Sequence, residues 1–391
     1  MSEQIVDTDL SRTVLETHAV RSGLWATPEL RKRNGFVLSP CVYLVSKKQQ
    51  KDLTRLATGV YTSLQALENR LIELSRSRHL THEEALFLQL GKGATRGLLS
   101  PGMESEGKLP PIVKVDLVQD ASGRYFVAEV DAYNPRGLGY LTFLEESIED
   151  LKYARFVGVS GVLDALRRGH SFCELVLLIS EFERYYEPAF RIFAKALEKR
   201  GVKVTLLREG GLGGEDSSAP FLLIPESLNQ YPMLRDRFVA AYRSGEMHTL
   251  YPPKAYLGSK AFLPFLREAG LKEFLPPTIL VGRKMNGNTV SFLEQSPSTV
   301  LKGCMSSGMK QVLFSDLHAD AFAQQLERAK LLKNPQWILQ EQVPQEAVPV
   351  TIFDEQGERV VREYFFRVIA HVGPEGVIDM EITGRPDRMV H

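Results

Sequence analysis

Between Ile112 and Tyr133 the chain alternates apolar and polar residues with a period of two on either side of a turn, and Asp116, Glu129 and Asp131 fall within that alternation. KVDLVQD, then Ala-Ser-Gly, then RYFVAEVDAY reads as a hairpin turning at Ser122-Gly123. Side chains two apart on a strand share a face, so Glu129 and Asp131 point the same way and Asp116 can stand opposite them on the partner strand. Three carboxylates on one face repel one another strongly without a cation among them. Oxygen-only donors of this kind suit magnesium, which keeps several waters and bridges to nucleotide phosphates. The plain alternative is a solvated acidic strand face, and the rest of the sequence has to decide.

Elsewhere the period changes. Residues Ser46 to Ser75 place Leu53, Leu56, Val60, Leu64, Leu67 and Leu71 at helical spacing, which predicts a long amphipathic helix. Thr81 and Glu84 form a capping box for a second helix ending near Gly91. From Glu174 to Pro225, ELVLLIS, EPAFRIFAKALEKR, VKVTLL and PFLLIPE follow the pattern of a βαβ-type layer with a parallel sheet. After Tyr251 come TILVG, TVLKG, WILQEQV and the hairpin VTIFDEQGERVVREYFFRVIAHV, turning at Gln356-Gly357. The fold class is therefore mixed, α+β and α/β, with a mainly helical segment over 1–111. The hairpin and its connection occupy 112–168, the βαβ-type domain 169–250 and a last unit 251–391.

Composition narrows the function. A chain of 391 residues is too long for one small core and predicts two or three packed subdomains. Its 48 basic residues equal its 48 acidic ones, so no global field recruits nucleic acid or anionic lipid. No apolar run approaches the roughly 18 residues of a spanning helix, and MSEQIVDTDLSRTVLE has no apolar signal core. Cys41, Cys173 and Cys304 lie far apart, against a disulfide framework. The expected address is the cytoplasm.

Directly after Asp131 comes Ala-Tyr-Asn134-Pro135-Arg136-Gly137-Leu-Gly139. The stretch VDLVQDASGRYFVAEVDAYNP resembles the metal motif of the ATP-grasp superfamily, an acid on one strand and Glu-x-Asn on the next, followed by a proline loop. Asp131 stands where that family usually has Asn, and Asn134 can share the role. SKAFLPFLREAGLKEFLPPTILV is similar to the family's lysine-led helix and the turn into its nucleotide lobe, with Lys260 as the lysine. TVLKGCMSSGMKQVLF resembles its strand lysine, Lys302, and a small-residue phosphate loop of Gly303, Ser306, Ser307 and Gly308. Small residues let backbone N–H groups approach phosphate oxygens, and a lysine adds a point charge. WILQEQVPQE is similar to the adenine hinge, with Gln340, Glu341 and Val343 beside the base and Glu346 toward the ribose.

The metal hairpin precedes the lysines and the hinge, which resembles the circularly permuted branch typified by glutathionylspermidine synthetase-like carboxylate–amine ligases. The resemblance implies an ATP-grasp fold with a Rossmann-like pre-ATP-grasp layer, and ATP and magnesium as cofactors. The metal ligands would be Asp116, Glu129, Asp131 and Asn134. It further implies an enzyme that activates a carboxylate as an acyl phosphate and joins it to an amine, releasing ADP and phosphate. A phosphotransferase and a non-catalytic nucleotide-binding subunit on the same fold are the alternatives. Guanidinium groups stabilise concentrated negative charge, and Arg367 and Arg136 are the candidates for that role ahead of Arg362, Arg385 and Arg388. The expected partners are small-molecule or peptide carboxylates and amines, with a homodimer left open, and neither nucleic acid nor membrane.

Other signals carry less. His79-x-x-His82 has zinc-like spacing but flanks a helix cap without a third ligand nearby. Gly91-Lys-Gly93-Ala-Thr-Arg-Gly97 follows a helix rather than a strand and fails as a phosphate loop. Gly210 to Gly214 reads as a flexible loop. Cys304 has no histidine partner in sequence and is not read as a nucleophile.

Overall fold

The computed structural model describes residues 5–22, 39–82, 84–85, 109–133, 137–139, 142, 158–168, 171–179, 186–208, 219–222, 236, 240–242, 244–246, 248–252, 254–305, 311–354 and 356–386. The acidic hairpin forms strands β3 (Val113–Gln119) and β4 (Tyr125–Asp131), with Gly123 at φ 84° in the turn. The pair joins three strands from the far end of the chain, β11 (Val348–Phe353), β12 (Arg359–Gly373) and β13 (Gly376–Arg385), in a five-stranded antiparallel sheet. Strand β12 is central, pairing with β3, β11 and β13.

One face of this sheet is apolar because the alternation makes it so. Val113, Val115, Leu117, Val127, Val130, Val368, Ala370 and Val372 all enter the main core. Their partner is the helix Lys47–Ser77, which contributes Leu53, Leu56, Val60, Leu64, Leu67 and Leu71. Its start is fixed by Ser46, whose side chain accepts from the Gln49 N–H while the Gln49 side chain accepts from the Ser46 N–H. The predicted box at Thr81 and Glu84 is also present; a helix end near Gly91 lies outside the described residues.

Strands β7 (Thr278–Val281), β8 (Thr299–Gly303), β9 (Val312–Phe314) and β10 (Trp337–Glu341) form a second antiparallel sheet in the order β7-β10-β8-β9. Val281, Leu301, Trp337 and Leu339 on one face pack with Phe292, Phe322 and Leu326 of the helices Asn286–Gln295 and Ala319–Leu331. On the other face, Leu280 and Ile338 enter the core of the five-stranded sheet. Thr278, Lys302 and Gln340 share that inward face by register. The two sheets therefore meet along a surface lined from one side by Lys302.

The segment ELVLLI forms β5 (Glu174–Ile179), parallel to β6 (Lys203–Arg208) and linked to it through the helix Glu187–Glu198. Leu175, Leu177 and Ile179 bury against that helix and the helix Gly158–Arg167. Val176 and Leu178 bury on the opposite face with Ala219 and Phe221. Burial on both faces explains why the run does not alternate. The N-terminal strands β1 (Ile5–Asp7) and β2 (Cys41–Tyr43) pair with each other and lean on the β11–β12 hairpin. Asp7 accepts there from Arg359 at 3.1 Å and from the Thr351 hydroxyl at 3.0 Å.

Candidate functional site

The second face of the five-stranded sheet is densely charged. Asp116 lies directly opposite Glu129 on β4 and Ile369 on β12, while Lys114 lies between Asp131 and His371. On β13 the same alternation brings Asp379, Glu381 and Thr383 opposite His371, Ile369 and Arg367. An irregularity makes the acidic strand work. Asp116 pairs with Glu129 but Leu117 pairs with Val127, so Ala128 is an extra residue in a bulge. The bulge lets Val127 and Val130 both face the core while Glu129 and Asp131 face the site. Without it, Glu129 and Val127 would share one side of the strand.

Two of the predicted carboxylates, Asp116 and Glu129, have cations of the chain beside them. Arg367 donates to Asp116 Oδ2 at 2.8 Å, and Lys114 Nζ lies 3.1 Å from Asp116 Oδ1. Lys260 Nζ lies 3.0 Å from Glu129 Oε1. Lys302 Nζ donates to the bulge carbonyl of Ala128 at 3.2 Å and to Gln340 Oε1 at 2.6 Å. The Gln340 amide donates in turn to the Thr278 hydroxyl at 2.9 Å, which donates to the Pro276 carbonyl at 2.7 Å. Lysines on the four-stranded-sheet side thus reach across to residues 128–129 of the other sheet.

Lys260 is aimed by its own turn. Ser259 caps the short helical segment Lys260–Phe262 by accepting from the Ala261 N–H, and the Lys260 N–H donates to the Cys304 carbonyl just beyond β8. Lys302 is wholly buried, and its pKa falls to about 7. Burial is the largest cause, with Lys260 pushing the same way and Glu129 and Asp116 opposing. For Lys114 burial also acts to lower the pKa, and Arg367 adds to that; Asp116, Glu129 and Asp131 more than offset them, and the pKa rises. Burial raises the Cys304 thiol to about 12, so it is inert as a nucleophile.

The hinge residues divide. Gln340 lies within an inner strand of its sheet, between Thr278 and Val300, and its side chain accepts from Lys302. The Glu341 N–H already donates to the Pro277 carbonyl, so this group is not available to a base. Val343 and Glu346 lie beyond β10, in a stretch without regular structure. Gly303 ends β8, and Arg367 stands on β12, with its Nε donating to the Thr383 hydroxyl at 2.9 Å. Arg362 is exposed and, five residues along β12 from Arg367, on the other face; Arg385 ends β13. Asn134, Arg136, Ser306, Ser307, Gly308 and Arg388 lie outside the described residues.

Lys114, His371, Glu381 and Thr383 were not singled out from sequence. Burial pushes Glu381 up to about 7, with Lys114 and Arg367 opposing. Its carboxylate faces Gly137, where a Cβ would stand 3.3 Å from Glu381 Oε1 and 3.5 Å from the His371 ring. At Gly139 a Cβ would meet the Ala189 carbonyl oxygen at 1.9 Å, so only glycine fits. The segment 137–139 therefore lies between the charged face and the start of the helix Glu187–Glu198.

The fit to magnesium turns on donor chemistry. Asp116, Glu129 and Asp131 offer carboxylate oxygens only, the donors a hard cation prefers. Among the described residues, no group of three His, Cys, Asp or Glu side chains stands gathered to hold a metal ion. Asp116 and Glu129 are instead paired with cations of the chain, Arg367 and Lys114 on Asp116 and Lys260 on Glu129. The fit to magnesium is therefore one of donor chemistry. Among the described residues no helix is long and apolar enough to cross a membrane.

No protein-family model and no curated protein matches the chain. Among solved structures, D-cycloserine synthetase DcsG is similar with TM-score 0.34 and 16% identity, over 55% of this chain and 75% of that one. The ATP-grasp ligase PsnB, complexed with precursor peptide PsnA2 and AMPPNP, gives TM-score 0.30 and 12% identity over 55% and 90%. An ATP-grasp RimK domain protein from Sphaerobacter thermophilus gives TM-score 0.29 and 15% identity over 54% and 91%.

Proposed function

We propose that this protein is a magnesium–ATP-dependent ligase of the circularly permuted ATP-grasp kind, which activates a carboxylate and joins it to an amine. The observation that carries the reading is the contact between the sheets. Two buried lysines, Lys260 and Lys302, reach from one sheet to the acidic strand of the other. A polyphosphate entering between the sheets would meet both lysines. Magnesium, when bound to Asp116, Glu129 and Asp131, would supply charge neutralisation for the transferred phosphoryl group.

The residues of the chain then have distinct tasks. Lys260 and Lys302 hold phosphate oxygens, and Lys302 gains its proton as the phosphate arrives. Arg367, fixed at two nitrogens by Asp116 and Thr383, orients the substrate carboxylate or the transferred phosphoryl, with Arg136 proposed beside it. A carboxylate oxygen attacks the γ-phosphorus and ADP leaves, giving an acyl phosphate. The amine nitrogen then bonds to the acyl carbon, the C–O bond to phosphate breaks, and phosphate and a proton are released. The chain contributes mainly position and charge.

Calorimetry with AMPPNP should show binding that requires magnesium. Absent or metal-independent binding would remove the support for this reading. Once binding is established, ADP and phosphate release against pools of amino acids, polyamines and small peptides identifies the substrates. ADP formation with a phosphorylated product and no free phosphate would instead favour the phosphotransferase.

A further inference from the structure

We infer that Lys260 is a two-position cation that makes metal and nucleotide binding mutually dependent: it neutralises the metal ligand Glu129 in the empty site and transfers to phosphate when nucleotide enters. The inference rests on reading this face as a magnesium–nucleotide site, and it adds a property that such a site does not need in order to work.

The geometry gives the reason. Lys260 Nζ lies 3.0 Å from Glu129 Oε1, and their side chains are only 3% and 13% exposed. The Lys260 N–H donates to the Cys304 carbonyl beyond β8, while Leu257, three residues earlier, accepts from the Ala132 N–H just past β4, the strand that carries Glu129. The pair therefore stands at the surface where the nucleotide would lie. Taking Lys260 away leaves Glu129 facing Asp116 and Asp131 with less positive charge nearby, which favours a divalent cation. Taking Glu129 away leaves Lys260 beside Lys302, which favours a phosphate. A metal alone must therefore displace Lys260 with no phosphate to receive it. A nucleotide alone must draw Lys260 off a carboxylate with no metal to replace it. Each ligand relieves the cost the other meets, and linkage makes the coupling equal in both directions.

The sign of this effect sets it apart from an ordinary phosphate-binding lysine: removing a positive charge should create a metal site. Manganese alone, without nucleotide, is the probe, its free fraction read by electron paramagnetic resonance. Lys260→Met should bind manganese about 5- to 150-fold more tightly than the parent, the usual range of a coupling. In the mirror experiment, Glu129→Gln should bind metal-free AMPPNP more tightly by a similar factor in calorimetry. The double variant should show neither gain. If Lys260→Met folds poorly, Lys260→Gln serves in the manganese titration, and the Glu129→Gln arm stands independently. Unchanged or weaker manganese binding by the lysine variants, in a parent that binds magnesium–AMPPNP, would overturn the inference and leave the ligase reading intact. A parent that binds no magnesium–AMPPNP would sink the ligase reading itself.

Discussion

Lys254 and Lys260 are close in sequence and equally buried, at 3% exposed each, yet they sit in opposite kinds of surroundings. Lys254 is paired with Glu68, whose second oxygen accepts from the Tyr256 hydroxyl at 2.7 Å. That set joins the helix Lys47–Ser77 to the segment before Gly258 and balances its charge locally. Lys260 pairs with Glu129 on a face that also carries Lys114, Asp116, Asp131, Arg367 and Glu381. Both lysines are buried and both are paired with a glutamate. What differs is whether the pair is closed within one packing unit or strung between two sheets among further charges. The first arrangement serves the fold; the second can exchange partners.

The comparison breaks most readily on stability. Removing one partner of a buried ion pair leaves an uncompensated charge and costs about 3–5 kcal/mol. Glu68→Gln should show that loss in urea unfolding, as a lower midpoint with an unchanged slope. Glu129→Gln should lose far less, because Lys260 keeps Asp116 and Asp131 on the same charged face while repulsion among the carboxylates falls. Equal losses in the two variants would mean that Lys260–Glu129 is as structural as Lys254–Glu68.

A second measurement sharpens the site half of the comparison. With its pKa near 7, Lys302 is roughly nine-tenths neutral at pH 8, and a bound phosphate favours the charged form. Binding of magnesium–AMPPNP at pH 8 should then take up about 0.9 proton through this group. Calorimetry in buffers of different ionisation enthalpy reads that number directly. Lys302→Met should lose the uptake. Uptake that persists in the variant would assign the proton elsewhere.

Much of this was legible in the sequence because alternation is local physics. The hairpin β3–β4, the helix from Lys47 and the strands bearing Lys302 and Arg367 follow from periods of two and 3.6 that depend on near neighbours alone. The facing of Asp116 and Glu129 was legible too, although the Ala128 bulge that makes it compatible with the core was not. A bulge depends on what packs beneath the strand. The same alternation in VIDMEITGR puts Asp379, Glu381 and Thr383 on one face, but only the pairing of β12 with both β3 and β13 brings that face to Asp116. Those contacts join residues some 250 positions apart, and no local pattern encodes them. Gln340 adds a contact of the same kind: the sheet register turns its side chain inward to Lys302, which the strand's own pattern does not show.

The smallest expected effect concerns pH, and here the charged face has a signature of its own. Burial raises Glu381 from 4.5 to about 7. Between those values the folded chain holds a proton that the unfolded chain has released, so this group lowers stability as pH rises. Burial depresses Lys302 from 10.5 to about 7. Between 7 and 10.5 the unfolded chain holds the proton that the folded chain lacks, so this group raises stability as pH rises. The two contributions meet near neutrality, and together they give a local minimum there. Glu381→Gln should gain stability over the parent progressively from pH 5 to 7, by about 1–2 kcal/mol, and hold that gain above it. Lys302→Met should show its largest advantage at pH 7 and below, fading toward pH 10. Urea midpoints at pH 5, 7 and 9 test both slopes. A pH-independent difference for either variant would mean that its parent side chain keeps an ordinary charge in the fold. The face would then be a set of solvated ion pairs, no different in kind from the exposed pairs elsewhere on the molecule.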